Sequence, residues 1–206
     1  AGDRSSFAFL SVDPSTGKPV RYDPCSPIHY VVDRRLAPPG TLSDLEAGIA
    51  SISDATGIAF SFDGYTTEPA GRDRRAYQPH RYGKRWAPVL VSWVRPPDLL
   101  IPGDQAVGAA GSTPVSNDEG VPVYVTGEIT FNAEAKLLPG FELGDSWGDV
   151  VLHELGHLVG LAHVADTTQV MNPDVTGGLA RLGAGDLAGL HRLGRAAGCV
   201  QVPRLP

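Results

Sequence analysis

Apolar positions recur along this chain at two periods, and the switches between them predict its elements. Residues 28–32, IHYVV, are β-branched and aromatic and predict a strand. In TLSDLEAGIASISDATG, from Thr41, the residues Leu42, Leu45, Ile49 and Ile52 return at helical spacing. Thr41 with Asp44 makes a capping-box pattern at its start, and Gly57 stands where a C-cap belongs. IAFSFDG, from Ile58, alternates like a half-buried strand. VLVSWV, Val89–Val94, is an almost unbroken apolar run, the pattern of a central strand. AVGAAG, from Ala106, is small and glycine-broken and suits an exposed edge, and VYVTGEITF, from Val123, reads as one more strand. The first two thirds thus predict a twisted mixed sheet of about five strands with one early helix.

A second helix is predicted over residues 146–159, SWGDVVLHELGHLV, opened by the Ser146–Asp149 capping pattern and stopped by Gly160. At 100° per residue, Val151, Leu152, Leu155, Leu158 and Val159 share one broad face. His153 and His157 fall opposite, one turn apart, with Glu154 beside them. The apolar face is expected on the sheet, with both imidazoles turned away from it.

Composition narrows the function. The chain has 206 residues, enough for one packed domain, and its 25 glycines and 18 prolines imply many turns. No apolar run reaches the roughly 18 residues that a membrane span needs. A net charge of −6 argues against a general nucleic-acid binder. The exception is RDRRAYQPHRYGKRW, residues 72–86, where Arg72, Arg74, Arg75, Arg81, Lys84 and Arg85 collect. A solvated loop is the plain reading, and a docking patch for an acidic substrate or a cell surface is the sharper one. The two cysteines, Cys25 and Cys199, either tie the ends of the chain together or are unrelated thiols.

The chemistry concentrates in HELGHLVGLAH, His153–His163. Two histidines at i and i+4 reach one ion, and zinc accepts imidazole nitrogen at about 2.0–2.1 Å. A third ligand farther along the same helix would diverge, so the chain must turn sharply, and Gly160 permits that turn. His163 then completes three nitrogens and leaves a fourth position for water, as a catalytic zinc requires.

These residues resemble the zinc signature of the metzincin metallopeptidases. Met171, eight positions past His163 in VMNP, stands where that clan has its methionine turn, and the spacing is most similar to the matrixins. The order of elements resembles theirs as well, and LGAGDLAGLHRLG, from Leu182, is similar to their closing helix. The resemblance implies an α+β fold: the twisted mixed sheet, the early helix and the zinc helix, then a small C-terminal subdomain from about residue 164 with one helix. Residues 1–25 would be an N-terminal extension and 26–206 a single catalytic domain. Val164 replaces the serine usual after the third ligand, and Asn172 replaces the tyrosine usual after the methionine. His29, His80 and His191 are isolated, so one catalytic zinc is expected and no second, structural one. Ser116–Gly120, SNDEG, offers oxygens to calcium, but a plain turn is the simpler reading.

The implied activity is zinc-dependent endopeptidase hydrolysis of a protein or peptide. Zinc is held by His153, His157 and His163, Glu154 is the general base toward its bound water, and Met171 and Gly160 support the site from beneath. Substrate would lie extended along the edge strand near Ala106–Gly111, with Ala109 and Ala110 as its contacts, and the segment 174–178, beginning with Asp174 and Val175, would wall the S1′ pocket. A secreted monomer is expected, with a Cys25–Cys199 disulfide suited to an oxidising compartment. Cys25, in YDPCSP, only weakly resembles the pro-segment cysteine of latent matrixins. Two alternatives remain open: a secreted zinc-binding module without turnover, and a hydrolase of non-peptide amides on the same scaffold.

Overall fold

The run Val89–Val94 forms β4, the middle strand of a five-stranded sheet, where both of its faces are covered. The computed structural model describes residues 2–101, 106–141, 146–174 and 181–206. Their elements in chain order are β1 (Ala8–Phe9), β2 (Ile28–Asp33), α1 (Thr41–Thr56), β3 (Phe60–Tyr65), the short α2 (Pro79–Tyr82), β4, β5 (Gly108–Ser116), β6 (Pro122–Asn132), α3 (Trp147–Val159), β7 (Leu161–Ala162) and α4 (Ala184–Leu193). The sheet order is β3-β2-β4-β6-β5, parallel throughout except for β5, which runs antiparallel to β6 at the edge. This is the expected mixed α+β sheet, with Ala109 and Ala110 on its edge strand.

Helices α1 and α3 pack side by side against one face of the sheet. Gly48 makes their close approach possible, because a Cβ there would overlap the Val151 side chain. Leu152, Leu155 and Leu158 of α3 are almost wholly buried, and each contributes about 1.5–3 kcal/mol by leaving water. The α1 start departs from expectation. Gly40 at positive φ is its N-cap, and the Thr41 hydroxyl donates to the Pro38 carbonyl rather than accepting from the helix. The Asp44 carboxylate instead accepts from the Gly140 amide at 3.0 Å, tying α1 to the chain that leads into α3. Gly57 closes α1 at φ 71°, as its position predicted.

Across the opposite face of the sheet, residues 72–86 form a loop in which Arg72, Arg75, Arg81 and Lys84 are exposed, in keeping with the solvated-loop reading, while Arg74 departs from it. Arg74 turns inward, its side chain only 6% exposed, and pairs with Glu68 at 3.0 Å. The same guanidinium donates to Thr126 and to the Gly127 and Pro88 carbonyls, while Gln78 and Tyr82 donate to Glu68. Burial opposes ionisation of Glu68, but the donors from Arg74, Tyr82 and Gln78 outweigh it and hold the carboxyl below its ordinary value. A buried polar network of this kind lasts only when each member is satisfied, and here it fastens the loop across the sheet.

Residues near the N-terminus join the body of the fold. β1 pairs antiparallel with β7, the Leu10 amide donates to the Gly160 carbonyl, and Val20 and Tyr22 enter the core. The chain ends are tied by the Cys25–Cys199 disulfide across 174 positions. Ser116–Gly120 is the turn between β5 and β6, where the Asn117 side-chain oxygen accepts from the amides of Glu119 and Val121. Among the described residues, no helix is long and apolar enough to cross a membrane.

Candidate metal centre

Ser146 caps α3 by accepting from the Asp149 amide, which starts the helix where the sequence placed it. One turn on, His153 and His157 project from the same side. Gly160 then turns the chain at φ 121°, where a side chain would be strained, and β7 carries it back to His163. The three Nε2 atoms converge, with His153–His163 at 3.0 Å, His157–His163 at 3.0 Å and His153–His157 at 3.1 Å.

Carbonyl groups fix the tautomers. His153 Nδ1 lies 2.8 Å from the Val170 oxygen and His157 Nδ1 lies 2.8 Å from the Leu161 oxygen. A carbonyl only accepts, so each Nδ1 carries the hydrogen and each Nε2 lone pair points inward. Burial, reinforced by His157, lowers the His153 pKa to about 3. Burial also lowers His157 to about 4 and shifts His163 in the same direction. The His153 and His157 lone pairs converge with no proton between them, and a cation placed among the three nitrogens would satisfy both together with His163. Tetrahedral zinc with bonds of about 2.0–2.1 Å would set its nitrogens about 3.3 Å apart, close to the triangle seen here. The donor set fits zinc.

Glu154 lies beside this triangle, 4% exposed, and burial raises its pKa to about 8. Among the described residues, its Oε2 has no hydrogen-bond partner. A buried carboxylate oxygen without a donor is costly, and a cation together with a water in the cleft would relieve it. The metal-bearing side of α3 is therefore not turned to solvent. It is roofed by Met171 beneath and by the edge strand alongside, a layer that helix periodicity alone does not reveal.

Met171 is buried under the ligands, and Gly156 makes room for it, since a Cβ at 156 would overlap the Met171 sulfur. The two departures from the matrixin pattern meet each other: the Asn172 side chain donates to the Val164 carbonyl, and the Val164 amide donates to the Met171 carbonyl. Asp186 of α4 was not anticipated. It is buried and accepts from the Val170 and Met171 amides and from that of Gly183. Because the Val170 carbonyl orients His153, α4 reaches the metal site through two hydrogen bonds. An aspartate in the first turn of a helix was the only signal, and it did not point to residue 170.

A cleft of about 640 Å³ opens over the histidines. Ala109 and Ala110 line it, as expected, together with Gly108, Val150, Pro173 and Leu10. Asp174 is exposed, its amide held by the Asn172 side chain, and Pro173 takes the lining position instead. Val175 and the rest of the expected S1′ wall lie outside the described residues. Gly108 and Leu10 were missed. A glycine inside a strand signals a close backbone approach, which was a usable cue for Gly108, but nothing in the sequence linked Leu10 to the cleft.

Residues 105–193, the part of the chain that carries the site, match the matrixin family model. Fold and site together make this a metzincin-like chain. No curated protein sequence matches it. Among solved structures, it aligns with high choriolytic enzyme 1, a hatching enzyme zinc-protease from the medaka fish Oryzias latipes, at 13% identity and a TM-score of 0.36. That alignment covers 76% of this chain and 55% of the other, so the chain spans about half the length of that enzyme.

Proposed function

We propose that this chain is a secreted zinc endopeptidase, with zinc on His153, His157 and His163 and Glu154 as its general base. The carrying observation is the convergence of three Nε2 atoms beside a buried carboxylate whose Oε2 has no hydrogen-bond partner among the described residues. Bound zinc would polarise the scissile carbonyl and acidify water in the cleft. Glu154 takes a proton from the attacking water and returns it to the departing amine. The outer edge of β5, unpaired beside the metal, binds an extended peptide backbone to backbone, which orients the scissile amide. The disulfide suits an oxidising, extracellular setting.

A peptide library incubated with the zinc-loaded protein, with and without a chelator, tests the reading. Cleavage that chelation abolishes and zinc restores is expected. Intact peptides with a fully zinc-loaded protein would sink it.

A further inference from the structure

Hydrolysis at zinc leaves the basic stretch 72–86 unexplained. The structure pairs two of its cations, Arg74 with Glu68 and Arg85 with Asp63. Arg72, Arg75 and Arg81 remain exposed and form no salt bridge among the described residues. All three line one cavity of about 380 Å³, together with Gln78. Two carboxylates also line it: Glu68, already neutralised by Arg74, and Asp73. Cations gathered in this way stand out on a chain whose net charge is −6.

The cavity is held in place, and one hydrogen bond ties its rim to the segment that borders the cleft. The Gly71 amide donates to Glu128, and the buried Arg74 fastens the same loop to the sheet, so the backbone that carries the arginines is fixed. Arg72 Nε donates to the Leu100 carbonyl at 3.0 Å, and the next residue, Ile101, lines the metal cleft. One residue of extended chain spans at most about 3.3–3.6 Å, so Arg72 touches the chain one residue away from the cleft lining, within reach of a flank of a bound peptide.

We propose that Arg72, Arg75 and Arg81 form an anion-binding extension of the cleft that recognises acidic side chains of a peptide substrate, beyond the residues that react. The proposal rests on the peptidase reading for its substrate class. Guanidinium forks match carboxylates in a bidentate geometry, which a bare positive potential would not require.

The test uses peptide pairs that differ only in carrying Asp and Glu, or Asn and Gln, on one flank of the cleaved bond, with each flank tried in turn. For the zinc-loaded enzyme, the acidic member of one pair is expected to have a KM about three- to tenfold lower at low salt, as a few partly exposed charge pairs give. The preference should fade as salt shortens the Debye length. Arg75→Ala with Arg81→Ala should bring the ratio near one, and the corresponding lysine pair should keep part of it. Equal KM values in the wild type, or a preference that survives the double substitution, overturn the proposal. Fluorescence anisotropy of the acidic peptide on zinc-loaded Glu154→Gln protein provides an arm independent of turnover. If no peptide is cleaved, the peptidase reading fails, while binding that depends on Arg75 and Arg81 still supports the anion site. Absence of that binding, or capture of a heparin fragment without the acidic peptide, overturns it.

Discussion

Gly108 on the edge strand lies directly against the Glu154 carboxylate: a Cβ at residue 108 would stand 2.7 Å from Oε1 and 2.9 Å from Cγ. The edge strand thereby confines the group that must move the proton. Gly108→Ala should push that carboxylate aside without touching a metal ligand. A displacement near 1 Å costs up to about 100-fold in rate, so kcat is expected to fall roughly 10- to 100-fold with zinc content unchanged. Steady-state kinetics with metal analysis on the same sample checks this, and wild-type kcat would count against the contact.

Glu154→Gln keeps the size of the side chain and removes the base. Turnover should drop by about 10²–10⁴-fold while zinc stays bound at one per chain. His157→Ala should lose zinc and activity together. Elemental analysis of the dialysed variants separates the two outcomes, and a glutamine variant that still cleaves at the wild-type rate would refute the mechanism.

Asp186→Ala removes one acceptor from three backbone amides in a buried place. Orphaned buried donors cost about 1–3 kcal/mol each, part of it recovered by water, so a loss of stability of at least that size is expected. Since the Val170 carbonyl orients His153, zinc affinity should weaken by about 10- to 100-fold, as for other supports of metal ligands. Competition with a chromophoric chelator reads the affinity. Unchanged affinity in a folded Asp186→Ala protein would disconnect α4 from the site.

Glu128, on the face of the sheet under the basic loop, has its pKa raised by burial from the ordinary 4.5 to about 7, against the Gly71 amide and Arg74, which favour its charge. The folded protein therefore keeps a proton that the unfolded chain releases. Stability is highest below pH 4.5 on this account, declines as pH rises through about 7, and is level above that. At 1.36 kcal/mol per pKa unit the loss is on the order of 3 kcal/mol. Glu128→Gln should raise the melting temperature at pH 8 and change it little near pH 4.5. Equal effects at both pH values would contradict the burial argument.

The Cys25–Cys199 link should leave no free thiol in the native protein, which intact mass before and after alkylation checks. Replacing both cysteines with serine should cost about 2–5 kcal/mol, because the open chain gains freedom when unfolded.

Local periodicity in the sequence was enough to place the strands β2 to β6, the helices α1 and α3, and the three histidines. Each depends on periods of a few residues: alternation for strands, 3.6 for helices, i and i+4 for the paired imidazoles. The turn at Gly160 was equally legible, since only the backbone freedom of glycine lets His163 come back to the ion. The basic stretch was legible only in part, because charge pattern cannot tell that Arg74, unlike its exposed neighbours, has a buried partner in Glu68 and acceptors on β6. The local cues at Gly108 and Asp186 did not name their partners, and Leu10 was invisible as a site residue for the same reason. Each acts across a gap in sequence, on Glu154, on the backbone at Val170 and on the cleft beside His163, and only packing brings those partners together. The sequence by itself determined the ligand set and the helix that presents it. The tertiary structure decided what surrounds that set, since burial, close approach and the tautomers of His153 and His157 depend on carbonyls and strands supplied from elsewhere in the chain.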